Sequence, residues 1–126
     1  MSDRRDVARD ESELGAEGAR AVMHQLRRRA QRSNLVRVEK LDAALLPAGR
    51  GGLTEEERRR AADVAHQVLG SAGTFGYPQA SEVAADLERL LRTSDLRDQA
   101  AYGRAQGLLA RLRAELDPDG TAEAPG

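Results

Sequence analysis

Apolar residues recur every three or four positions in four successive stretches of this chain, and residues that start or stop helices divide the stretches. No other feature constrains the fold as much. A period of 3.6 residues draws an apolar stripe along one side of a helix, whereas a half-buried strand needs a period of two. The first stretch runs from about Ala16 to Leu46. Ala19, Val22, Met23, Leu26 and Ala30 make one stripe in it; Val38, Leu41 and Leu45 make another. Ser33-Asn34 lies at the joint and could cap a fresh helix, so one long kinked helix and two shorter ones both fit. Pro47 to Gly52 is the clearest loop.

Thr54 is a good N-cap for the second helix, and Glu57 completes a capping box. That helix runs toward Phe75. Gly76-Tyr77-Pro78 makes a turn, with Pro78 in the first turn of a third helix. Ala80, Val83, Ala84, Leu87 and Leu91 line one face of it. Thr93-Ser94 is expected to cap the fourth helix, whose stripe is Ala101, Ala105, Leu108, Leu112 and Leu116. Short loops between amphipathic helices favour antiparallel neighbours, so the expected fold is an all-α, up-down four-helix bundle with a long first helix. The bundle is expected over residues 15–116. Residues 1–14 read as a charged, disordered leader, and 117–126 as a disordered tail.

Composition removes several alternatives. Aromatic residues make up 2% of the chain, too few for a typical β-sandwich or barrel. Cysteine is absent, which excludes disulfides, thiol catalysis and cysteine-based zinc sites. The net charge is −1, so there is no overall basic excess to hold nucleic acid. The arginine run from Arg27 to Arg32 reads as a solvated helix face rather than a nucleic-acid site. Lys40 is the only lysine, an arginine bias that fits a bacterium of high GC content. No segment is long and apolar enough to cross a membrane, and a cytoplasmic monomer is expected.

The chemistry gathers around His66. On a helix, Ala61, Val64, Ala65, Val68, Ala72 and Phe75 fall on one stripe, and His66 points about 140° away from its centre, toward solvent. Its outward neighbours at one and two turns are Ala62, Gly70 and Gly73, all small. Glycine inside a helix costs about 0.5–1 kcal/mol relative to alanine. Such a sacrifice beside an exposed imidazole suggests that another protein must come close to it. Neutral imidazole, with an ordinary pKa of about 6.5, is a competent nucleophile for a phosphoryl group. His24 has no such surroundings and reads as incidental. No nucleotide loop, Ser-His-Asp set or metal-spaced cluster is evident, so autonomous enzyme activity is not expected.

The segment His66-Gln-Val-Leu-Gly70-Ser-Ala-Gly-Thr-Phe-Gly76 resembles the signature of histidine phosphotransfer (Hpt) domains, roughly H-x-L-K-G-S-A-G-x-x-G. Leu87-Glu88 matches a Leu-Glu pair on the next helix of that family. The resemblance implies that His66 accepts a phosphoryl group and exchanges it with an aspartate of a response regulator receiver domain. It implies that Glu88 hydrogen-bonds the imidazole Nδ1 and that Arg92 stands near the phosphate. The partner-facing surface would comprise Ala62, Asp63, Gln67, Leu69, Gly70 and Gly73. The partners would be a receiver domain, a histidine kinase, or both. No cofactor is expected on this chain, the phosphodonor and Mg²⁺ belonging to the receiver. One position departs from the pattern: Leu69 stands where the family usually has Lys or Arg. That departure leaves room for a second reading, a non-phosphorylated adaptor that binds a receiver or kinase.

Overall fold

The computed structural model describes residues 3–120 and 122, with side chains for 13–48, 51–120 and 122. Helix α1 spans Asp3–Leu45, α2 Glu55–Thr74, α3 Pro78–Thr93 and α4 Gln99–Leu116. A short 3₁₀ turn, Leu46–Arg50, follows α1, and no strand occurs among the described residues. Consecutive helices are antiparallel, and α1 also packs on α4 to close the bundle. The core is built from small and branched aliphatic side chains: Val38, Leu41 and Leu45 from α1, Ala61, Ala65, Val68 and Ala72 from α2, Val83, Ala84, Leu87 and Leu91 from α3, and Ala101, Ala105, Leu109, Leu112 and Leu116 from α4. At the third turn of α4 it is Leu109 rather than Leu108 that is buried; Leu108 is only partly buried.

The helix ends follow local chemistry. Thr54 accepts from the Glu57 amide at 3.0 Å while the Glu57 carboxylate accepts from the Thr54 amide at 3.0 Å, so the expected capping box forms. These bonds, the amide first, hold the Glu57 carboxyl below its usual range. Pro78 opens α3 as expected. The start of α4 is a correction. Ser94 ends α3, Leu96 turns into the core, and Asp98 is the N-cap of α4, accepting from the Ala100 amide at 3.1 Å. Thr93 instead donates its hydroxyl to the Arg89 carbonyl within α3.

Two further departures concern α1. It is one helix through Ser33-Asn34, and Asn34 caps nothing. Its side chain is wholly buried, donating to Ser71 Oγ at 3.2 Å and accepting from Arg37 at 2.8 Å. A buried amide needs partners, and α2 supplies one across the bundle. The second departure is larger. Residues 13–29 are all exposed, and the core begins at Ala30. The stripe of Ala19, Val22, Met23 and Leu26 therefore lines an arm that extends past the bundle instead of filling the core. The helix also runs back to Asp3, through the segment read as a leader; residues 1 and 2, and 121 and 123–126 of the tail, lie outside the described residues.

Candidate histidine site

The site lies across the α2–α3 hairpin. Gly76 turns the chain with φ 89°, a left-handed conformation that glycine adopts without strain, and the Tyr77 amide donates to the Ala72 carbonyl at 2.8 Å. The return path brings α3 alongside α2 in antiparallel register. Ser81 donates its hydroxyl to the Leu69 carbonyl at 2.9 Å near the turn. At the far end Arg58 donates to the carbonyls of Leu91 and Ser94 at 3.1 and 3.2 Å, closing the C-terminus of α3. Between these ties the two helices are fixed in rotation, which sets what faces His66.

His66 stands on the outer edge of the hairpin with its side chain 65% exposed. Its Nδ1 lies 3.0 Å from Glu88 Oε1. The other carboxylate oxygen, Oε2, accepts from Arg92 Nε at 2.9 Å, one turn along α3. Arg92 Nη2 then donates to Asp63 Oδ1 at 2.9 Å, back on α2. The result is a chain, Asp63–Arg92–Glu88–His66, that crosses between the helices twice. Glu88 is the least exposed member, at 16%. Burial by itself would push its carboxyl up; the hydrogen bonds from His66 and Arg92 outweigh that and hold it below the usual carboxylate range. Hydrogen bonds to Asp63 and then to Glu88 raise the Arg92 guanidinium further. Glu88 is therefore a carboxylate near neutral pH and can act only as an acceptor. With Glu88 accepting at Nδ1, a neutral imidazole carries its proton there and its lone pair on Nε2.

The residues expected to face a partner separate into three groups. Asp63, Gln67 and Gly70 are exposed beside His66, and a Cβ on Gly70 would meet nothing within 4 Å. Leu69 is half-buried against the core, and Gly73 is exposed but closely approached: a Cβ there would lie 3.2 Å from Ser81 Oγ. Gly73 thus admits α3 to α2. Ala62 is a correction. It is completely buried, because the position one turn before His66 falls beneath α3. It cannot touch a partner. Arg92, expected near phosphate, spends its guanidinium on two carboxylates. The Asp63–Arg92 tie was missed as a pair. Three residues back from His66 and four forward from Glu88 lands on them, as antiparallel helices require, so the spacing carried the signal. His24 lies on the exposed arm, away from any of this chemistry.

An antiparallel helical bundle that presents an exposed, carboxylate-oriented histidine on the outer edge of a helical hairpin defines the protein's class. The family comparison is specific: the Hpt domain model matches residues 25–117. The chain belongs to the Hpt domain family, whose members are phosphocarriers in phosphorelay signalling and interact with receiver domains and kinases. No curated protein and no solved structure matches the chain. Among the described residues no helix is long and apolar enough to cross a membrane.

Proposed function

We propose that His66 is the phospho-accepting residue and exchanges a phosphoryl group with the aspartate of a receiver domain. The observation that carries this reading is the 3.0 Å contact between His66 Nδ1 and a carboxylate whose second oxygen is already held by Arg92. That contact orients the ring and directs nucleophilic character to the exposed Nε2. In the forward step the Nε2 lone pair attacks phosphorus, the bond from phosphorus to the receiver carboxylate oxygen breaks, and the aspartate leaves as a carboxylate. The Nδ1 proton stays between His66 and Glu88. The reverse step returns the phosphoryl group to an aspartate. The receiver supplies Mg²⁺ and the acid–base groups of its own pocket; the partner-facing residues of this chain are Asp63, Gln67 and Gly70. Arg92 acts on this reading by holding Glu88.

The test is to incubate the full chain with receiver domains charged by acetyl phosphate and Mg²⁺. One acid-labile, alkali-stable phosphoryl group is expected, lost in His66→Gln. Label persisting in that variant overturns the assignment.

One observation favours a second reading, an adaptor that binds without accepting phosphate. Leu69, where the family usually has a cation, packs against the core and brings no charge to the site. Leu69→Lys decides between them: a several-fold faster transfer supports the carrier, because one cation at about 4–6 Å from phosphate is worth on the order of 1 kcal/mol at a half-exposed site. No phosphoryl group on either variant, with receiver binding intact, supports the adaptor.

A further inference from the structure

The exposed arm of α1 contributes nothing to the Asp63–Arg92–Glu88–His66 chain, and its composition is not that of an ordinary solvated helix. Val22, Met23 and Leu26 are 56%, 45% and 36% exposed, and all three lie on one side with Gly15, Ala19 and the open Gly18. Two interior glycines weaken this helix, at about 1 kcal/mol each relative to alanine. A short helix in water is marginal unless an apolar face is packed. The arm therefore carries both the weakness of an unpartnered helix and the stripe that a partner would cover.

Charge and side-chain size together say which partner. From Asp10 to Glu17 the chain has four acidic residues and no basic one; from Gly18 to Val38 it has six arginines and no acidic residue. A second copy laid parallel would set arginines on arginines. Laid antiparallel, it brings Glu13 and Glu17 of each arm beside Arg28 and Arg27 of the other, within the roughly 10 Å screening length of 0.1 M salt. Size follows the same direction. The small residues Gly15, Gly18 and Ala19 occupy the N-terminal half of the stripe, and Val22, Met23 and Leu26 the C-terminal half. An antiparallel pair facing Ala19 with Val22 and Gly15 with Leu26 seats each large side chain on a small one and keeps both seams at helical spacing. The free stretch ends where Arg27 stands over Gly76 of the α2–α3 turn, 3.6 Å from where a Cβ would lie. This register places residue 14 of one arm opposite residue 27 of the other.

We infer that the α1 arm is a self-association surface: two copies of this chain pair their arms antiparallel through Gly15, Ala19, Val22 and Leu26. The contact is shorter than a standard interface of about 1,600 Å², so the dimer is weak and concentration-dependent. It replaces the monomer expected from sequence and does not rest on the phosphotransfer reading.

The chain has no cysteine, which makes the register directly testable. The full-length Gly15→Cys and Leu26→Cys variants are oxidised separately and as a mixture at high protein concentration. The antiparallel pair predicts a disulfide dimer in the mixture and little in either variant alone. A dimer from Leu26→Cys alone, at the same yield, indicates a parallel pair and overturns the proposal. Sedimentation of the native chain from micromolar to millimolar concentration is expected to show a monomer–dimer equilibrium that Leu26→Glu abolishes and high salt weakens. Val22 and Leu26 are exposed, so these variants leave the bundle folded. A single monomeric species throughout, with no cross-link, overturns the proposal and leaves the arm to another protein.

Discussion

Helices α2 and α4 both turn small residues to solvent within the bundle, but the exposed histidine lies on α2. On α4 the outward positions include Ala100, Gly103, Gly107, Ala110 and Ala114, and a Cβ on either glycine would meet nothing within 4 Å. On α2 the small surround of His66 is narrower than the sequence suggests. Ala62 is buried, Gly73 accommodates Ser81, and of the three only Gly70 leaves open space where a Cβ would lie. By small residues alone α4 is the more open face. What α2 has and α4 lacks is a histidine held from behind by a carboxylate that is itself held from behind. Small residues allow approach, but they do not create anything to approach. The chain of charges across the hairpin is the distinguishing feature.

Breaking that chain is the strongest test of the comparison. Glu88→Ala removes the Nδ1 acceptor and leaves Arg92 with Asp63. A hydrogen bond involving a charged group is worth about 1.5–3 kcal/mol, and less where the site is partly open, so transfer to His66 is expected to slow by about five- to tenfold. The imidazole tautomer, read by ¹⁵N chemical shifts, should move with it. An unchanged tautomer would show that Glu88 only decorates the surface.

Next in size is the open position. Gly70→Gln is expected to stabilise α2 by about 0.5–1 kcal/mol while weakening receiver binding several-fold, measured by titration calorimetry. Equal affinity would erase the difference between the two faces, since neither would then be an interface. Acid provides a third probe. Glu88 is depressed in the folded chain, so its stabilising contribution is complete above the ordinary glutamate value of about 4.3 and is lost as pH falls through the lower, folded value. The stability gap between the native chain and Glu88→Gln should therefore narrow as pH is lowered from about 6 to about 3, followed by urea unfolding. The smallest expected effect lies on the other helix. Gly103→Ala and Gly107→Ala should each raise stability by about 0.5–1 kcal/mol and leave transfer rates unchanged. A loss of transfer in either variant would mean that α4 also contacts the partner.

Most of the bundle was legible in the sequence because its signals are local. The Thr54 capping box, Pro78 at the start of α3 and the aliphatic stripes of α2 and α3 all depend on residues within a turn or two of one another. His66 was legible for the same reason: its outward direction follows from the stripe on its own helix. The errors were tertiary. Periodicity shows that Val22, Met23 and Leu26 share a side, but not whether another helix reaches that side. It shows Ala62 near His66, but not that α3 lies over it. Asn34 has the chemistry of a cap, and only the position of Ser71 across the bundle reveals a buried amide. The Ser94 boundary failed because Leu96 is drawn into the core, which moves the start of α4 to Asp98.

The hairpin also behaves as a ruler. His66 and Glu88 are 22 residues apart, and the bond between them spans a turn of only three residues, Phe75 to Tyr77. One residue inserted within either helix between His66 and Glu88 would rotate the stretch beyond it by about 100° and carry one member of the pair away from the other. The same insertion between Pro47 and Gly52 would displace no member of the charge chain, because Asp63, His66, Glu88 and Arg92 all lie beyond it on one unbroken hairpin. Length variation among descendants of this sequence should accordingly collect at the α1–α2 connection and at the two ends. The interval between the histidine and the glutamate should keep its count while the residues within it change.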